Sequence, residues 1–104
     1  MYMKIVVNRS RGINCGYKLS TIACELLNVD EPHSYYCYED RTLPELIHAV
    51  EFLQERVNGE GADLRVLTVP DDLETTDEMG RVVRHWHLSE RDGYEVIREN
   101  HRVW

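Results

Sequence analysis

The sequence predicts an α+β fold: a small mixed or antiparallel sheet with two to three helices packed on it. Three observations predict it. Lys4-Ile5-Val6-Val7 and Leu64 to Val69 are β-branched runs bounded by turn residues, and Leu46 to Val57 carries an apolar stripe at helical spacing. Asp92 to Trp104 opens with a capping pattern and continues with spaced apolar residues. At 104 residues the chain makes one domain, 1–104. A domain of that size buries roughly 65% of the surface its unfolded form exposes, enough for a core without disulfide or metal staples.

Taken in order, Lys4 to Val7 reads as a buried central strand, closed by Asn8 and the Arg9-Ser10-Arg11-Gly12 turn cluster. After the loop containing Gly12 and Gly16, Ser20 is placed to cap a helix running to about Leu27, with Ile22, Ala23, Leu26 and Leu27 on one side and Asn28 as its stop. Leu19 is spaced to staple onto Cys24. The aromatic segment 30–41, with Pro32 and Tyr35-Tyr36-Cys37-Tyr38, is expected as a loop that packs back or a short edge strand. Thr42 and Glu45 suggest a capping box around Pro44. The following helix places Leu46, Ile47, Val50, Leu53 and Val57 on one face and stops at Asn58-Gly59 in a left-handed turn.

Leu64 to Val69 reads as a strand ended by Pro70-Asp71-Asp72, and Val82 to Leu88 as another. In the latter, Val82, Arg84, Trp86 and Leu88 share one face and Val83, His85 and His87 the other. The acidic residues between them fit a long hairpin loop with a strand extension. Asp92 and Glu95 are placed to cap a last helix with Tyr94, Ile97 and His101 or Trp104 as its inner stripe. The order is then β-α-(β)-α-β-β-α, helices against one mixed sheet.

The formal charge of −7 is unevenly distributed. Residues 1–29 carry Lys4, Arg9, Arg11 and Lys18 against Glu25, residues 30–81 carry fourteen acids against four arginines, and residues 82–104 balance. Such a field repels nucleic acid over most of the surface and attracts basic proteins, although an acidic balance is also ordinary for a bacterial protein. No run approaches the ~20 apolar residues of a membrane span, and nothing near Met1 resembles a signal-peptide core. Cys15, Cys24 and Cys37 are odd in number and lack C-x-x-C spacing, so reduced thiols and a cytoplasmic location are expected.

Each candidate site has a structural reading beside the functional one. The loop from Arg9 to Lys18 joins a strand to a helix start, where Arg9, Arg11 and Lys18 with free amides can hold a phosphate or carboxylate, or form only a turn. It matches neither G-x-x-x-x-G-K-[ST] nor G-x-G-x-x-G. His85 and His87 chelate a metal only if Cys37, Asp92 or His101 is brought across; otherwise they are hydrogen-bonded surface histidines. Cys15 is a nucleophile only if His101 stands beside it as a base. His101-Arg102-Val103-Trp104 offers an interface hot spot or a lock for the last element. Asp71, Asp72, Glu74, Asp77 and Glu78 imitate a phosphate backbone or are simply a solvated loop.

Three stretches acquire meaning together. Met3-Lys4-Ile5-Val6-Val7-Asn8-Arg9 leads into a glycine-containing loop and Leu19-Ser20. The middle is Leu64-x-Val66-x-x-Val69-Pro70-Asp71-Asp72, and the end is Asp92-Gly93-x-Glu95-x-Ile97-x-Glu99-x-His101-Arg102-x-Trp104. In combination they resemble a family of small proteins encoded by bacteriophages and prophages, a resemblance that covers most of the chain and brings no catalytic residues with it. The chain departs from that family's usual glycine pair, Gly12 and Gly16 being separated by Ile13-Asn14-Cys15. The resemblance implies proteins that bind, mimic or block a host component, including components of defence systems. The expectation is a non-enzymatic accessory protein or inhibitor of a host protein, itself a nucleic-acid-binding one in one version, without direct nucleic-acid or membrane contact. Asp71, Asp72, Asp77 and Glu78 would supply the acidic surface, and Tyr35, Tyr36, Tyr38 and Trp86 the anchors. A homodimer through the tyrosines is a further possibility, and no cofactor or metal is expected. The alternative is a protein that binds or sequesters a nucleotide or phosphate ligand through Arg9, Arg11 and Lys18.

Overall fold

The computed structural model describes residues 1–104. It has an α+β fold, with two α-helices and seven strands in three small antiparallel sheets. β1 (Tyr2–Asn8) pairs along its whole length with β2 (Leu64–Pro70), Tyr2 opposite Pro70 and Asn8 opposite Leu64. Side chains alternate across such a ribbon, and the alternation divides the core in two. Val6 and Leu64 face the helices, joining Tyr17, Leu19, Leu46, Val50 and Val57. Ile5, Val7 and Val69 face the opposite way, against Leu73, Trp86 and Ile97. The ribbon is thus a middle layer between helices and a C-terminal sheet.

β1 was expected to be a central strand, but it has one strand partner. Its second edge is closed by other groups: the Val6 amide donates to the Arg41 carbonyl at 2.9 Å, and the Asn8 amide to Glu95 Oε1 at 2.7 Å. An exposed edge would invite pairing with other chains, and these bonds cover its C-terminal half, at Val6 and Asn8.

α1 (Thr21–Leu27) begins as its sequence suggests. Ser20 Oγ accepts from the Ala23 amide at 3.1 Å, and Asn28 ends the helix in the left-handed conformation. Its buried face is Ala23 and Cys24, while Ile22 and Leu26, expected inside, are about half exposed. α2 (Pro44–Leu53) buries Leu46, Ala49, Val50 and Leu53. The capping box expected from Thr42 and Glu45 is absent, because Leu43 occupies the cap position with no side-chain bond. Pro44 explains the shift: the residue before a proline is held extended, so the helix starts one position later than Thr42. Asn58-Gly59 is not a left-handed stop either. The α-helix ends earlier, at Gln54 with φ 55° and ψ −128°, and continues as a 3₁₀ turn to Val57. Asn58 is extended, bridges to Leu19, and accepts the Leu64 amide on its side chain at 2.7 Å.

A 3₁₀ turn over Asp71–Leu73 leads into a hairpin of β3 (Glu74–Thr76) and β4 (Val82–Arg84), the strand extension foreseen for the acidic segment. The strand expected over Val82 to Leu88 is broken. Trp86 turns into the core, the His85 amide donates to the Leu73 carbonyl at 2.8 Å, and a separate β5 (His87–Arg91) begins in another sheet.

No last helix forms. β6 (Tyr94–Glu99) pairs with β5, and β7 (Arg102–Val103) pairs back on β6. Asp92 (φ 53°) and Gly93 (φ 89°) both have positive φ, as the two-residue turn of a hairpin requires, and Asp-Gly is a strong signal for it. Asn100 (φ 46°) makes the second turn. Glu95 and Ile97 face inward in strict alternation, and Trp104 exchanges two 2.8 Å backbone bonds with Ile97. The helices therefore lie against a ribbon, not on one mixed sheet. No helix is long and apolar enough to cross a membrane.

Candidate functional site

The segment 30–41 is a loop that packs back on the helical core, and its aromatic residues are fixed from beneath. Tyr17, buried under the loop, donates its hydroxyl to the Ser34 carbonyl at 2.7 Å and meets the Tyr36 ring edge-on at 5.8 Å. Burial pushes the Tyr17 pKa well above the ordinary tyrosine value, the Arg41 charge working against that shift. Arg41 lies over the Tyr17 ring at 4.3 Å and takes the Tyr36 carbonyl from Nε and Nη2 at 3.1 and 3.0 Å. Held this way, Tyr36 is still 55% exposed. Tyr35, at φ 62°, turns its ring toward the helical core and is half-buried.

Tyr38 connects this loop to the acidic hairpin. Its ring, 41% exposed, stands edge-on to Trp86 at 5.9 Å. Arg84 lies 5.2 Å from both rings, with Nε 3.5 Å from Glu74 Oε2, and the same oxygen accepts Trp86 Nε1 at 2.9 Å. The Tyr38 contacts with Arg84 and Trp86 thus join the loop to the hairpin, and Glu74 holds Arg84 and Trp86 together beneath it. Trp86 itself, expected as an anchor, is 3% exposed and belongs to the core. What faces outward is Tyr36, Tyr38, Val82 and Met79.

The four acids named from the sequence do not form one field. Asp77 and Glu78 sit at the tip of the hairpin and Asp71 and Asp72 at its base, separated by a three-residue strand, about 10 Å at the usual rise. Asp77 is committed to its turn, accepting the Met79 and Arg81 amides at 2.9 Å and Arg81 Nε at 3.0 Å. Asp72 is held by Arg102 at 3.1 Å. Asp71 and Glu78 are exposed and have no cation within 4.0 Å.

Other candidates separate. Arg9 and Arg11 come together over Tyr94, but Lys18 lines a different groove with Ser20, Cys24 and Asp30. Four of the loop amides are occupied: Arg9 donates to Asp63, Gly12 to Asp92, Cys15 to Gly12 and Gly16 to Gly61. His85 bonds Thr75 at 2.8 Å, and no group of three His, Cys, Asp or Glu side chains is arranged to hold a metal. Trp104 packs on the C-terminal core beneath Arg102, whose Cζ lies 5.1 Å from its ring. It locks the last element, which is a strand where a helix was expected.

Sequence reasoning missed the Arg41–Glu95 pair, whose side chains are only 1% and 6% exposed. An arginine directly after an aromatic loop is an ordinary surface pattern, and only the inward phase of Glu95 beside Ile97 hints that it is buried. No family model, curated protein or solved structure matches the chain.

Proposed function

We propose that the chain works by binding and not by catalysis, docking in the cytoplasm on a basic protein partner through the face formed by Tyr36, Tyr38 and the β3–β4 hairpin. The observation that carries this reading is the Tyr38–Arg84–Trp86 stack, which makes the aromatic loop and the acidic hairpin one continuous surface. Tyrosines held from below lose little side-chain freedom on contact, and such rigid amphipathic rings are favoured in interfaces. Asp71 at the base of the hairpin and Glu78 at its tip, both exposed and unpaired, are two separate acids that favour a basic partner. For a chain whose termini resemble those of phage proteins, that partner is a host protein, blocked by occlusion.

Capture from bacterial lysate with the tagged chain tests this, repeated at raised salt and with two variants. A stoichiometric partner that is released by salt, lost with Tyr36→Ala/Tyr38→Ala and weakened by Asp71→Lys/Glu78→Lys supports the proposal. Asp72 and Asp77 are left intact because both hold structural bonds. A partner retained by both variants would place binding elsewhere. A tyrosine-dependent dimer without any other partner, seen by sedimentation, would make the face a self-association surface.

A further inference from the structure

We propose that Arg9, Arg11 and Arg91, grouped around Tyr94, form a binding site for a small organic phosphate of nucleotide size. Arg9 Cζ and Arg11 Cζ lie 5.0 and 4.8 Å from the centre of the Tyr94 ring, and Arg9 Nη1 donates to the Tyr94 hydroxyl at 2.6 Å. Arg91 stands directly across from Tyr94 in the β5–β6 register, on the same face. The two stacked guanidiniums are therefore closer than about 10 Å, the screening length in ordinary salt, and their repulsion is felt.

None of these three arginines has a carboxylate within 4.0 Å, a state shared by Arg56 and Arg98, whereas Arg41, Arg65, Arg81 and Arg84 each take one and Arg102 takes two. With 19 acids against 12 lysines and arginines, partners are in excess. Geometry, not supply, leaves the cluster uncompensated. Two backbone bonds and one from a side chain hold it there: the Arg9 amide to the Asp63 carbonyl at 2.8 Å, the Gly12 amide to the Asp92 carbonyl at 2.9 Å, and Asn8 Nδ2 to the Gly93 carbonyl at 2.6 Å. Arg9 Nε is buried with no acceptor, a state that folded proteins rarely leave without a reason.

Beside the cluster lies a shallow, open depression lined by Arg9, Tyr94, Arg65, Asp63, Val66 and Leu67. Its chemistry is divided. Guanidiniums bind phosphate oxygens in pairs, and the Tyr94 hydroxyl, accepting from Arg9, keeps its own proton to donate. Val66 and Leu67 offer an apolar wall to the rest of the molecule. A long nucleic acid is disfavoured by the net charge of −7, which a small anion meets only locally.

Calorimetric titration of the full chain with AMP, inorganic phosphate and adenosine tests the proposal. AMP is expected to bind more tightly than inorganic phosphate and to weaken as salt rises, and adenosine to bind far more weakly than AMP. Arg11→Glu/Arg91→Glu removes exposed side chains that make no hydrogen bond or ion pair, and circular dichroism will verify that the variant folds without the Arg11–Tyr94 contact. It should lose about ten- to a hundredfold in AMP affinity, the scale of charge-assisted contacts. Lys18→Glu, with one added acid on another groove, should bind nearly as the parent does. No heat with millimolar AMP, equal affinity for AMP and inorganic phosphate, or unchanged binding by Arg11→Glu/Arg91→Glu would each overturn it.

Discussion

Arg41 lays Nη1 and Nη2 on the two carboxylate oxygens of Glu95, at 2.6 and 2.8 Å, across 54 positions of chain. The guanidinium also donates to the Val6 and Tyr36 carbonyls, and Glu95 accepts the Asn8 amide. One buried pair therefore ties the aromatic loop, the free edge of β1 and the C-terminal sheet together. Its charges are matched and its hydrogen bonds shared out, which is the condition under which burial of an ion pair is tolerated.

Removing one member should be costly because the other charge is left buried. Arg41→Met is expected to lose about 3–5 kcal/mol, read from the urea midpoint with an unchanged slope. Arg41→Met/Glu95→Gln should lose less than the sum of the single changes, since no unpaired charge remains. Strict additivity would mean that the two side chains are energetically independent.

Tyr17 should make alkaline stability measurable at one residue. Its folded pKa lies above the unfolded value of about 10, so the stabilisation it brings is complete below that pH and is lost as pH rises past it. Tyrosinate absorbance is expected to show one hydroxyl per chain that ionises only as the chain unfolds. Tyr17→Phe should abolish that late phase and flatten the fall of stability above pH ~10.

Two glycines with similar backbone angles should respond differently. Gly80 (φ +80°) has open space where a Cβ would go, so Gly80→Ala pays only for the left-handed backbone, about 1–2 kcal/mol. At Gly93 (φ +89°) the same Cβ would collide with the Cys15 carbonyl oxygen. Gly93→Ala should lower the melting temperature by clearly more than Gly80→Ala. Equal losses would show that the loop under Gly93 yields freely.

Thiol labelling should proceed in a fixed order. Cys37 is exposed, Cys15 intermediate and Cys24 buried, and burial pushes the Cys24 thiol pKa up, with Asp30 adding to the rise. Under native conditions, mass spectrometry after a brief pulse of alkylating reagent is expected to find Cys37 modified first and Cys24 last. Early labelling of Cys24 would mean that α1 opens readily.

Most elements in the first two thirds of the fold were legible where local signals and packing agree, the cap and stop of α2 excepted because Pro44 and Gln54 set them. Ser20 and Asn28 bound α1 as their side chains dictate, and Leu46, Val50 and Leu53 keep one helical face. The C-terminal third misled because its apolar residues satisfy two periods. Tyr94 and Ile97 are spaced as on a helix, while Glu95 and Ile97 alternate as on a strand, and the carboxylate of Glu95 is wanted inside by Arg41. A distant partner decided the phase. Of the candidate site, the exposed Tyr36 and Tyr38 were readable from composition, but the burial of Trp86 was not. Nor could the sequence separate Arg9 and Arg11 from Lys18, because only the Asp92-Gly93 turn brings Tyr94 to the first two.

The ladder between β1 and β2 joins segments far apart in the chain, its nearest pair in sequence being Asn8 and Leu64. Both halves of the core rest on that ladder, so neither can close until Leu64 to Pro70 has been synthesised. Ile5-Val6-Val7 therefore leave the ribosome unprotected and, at about 5–20 residues per second, remain so for seconds. The most exposed moment in this protein's life comes before it is finished, when three adjacent apolar residues wait for a strand that has not yet been made.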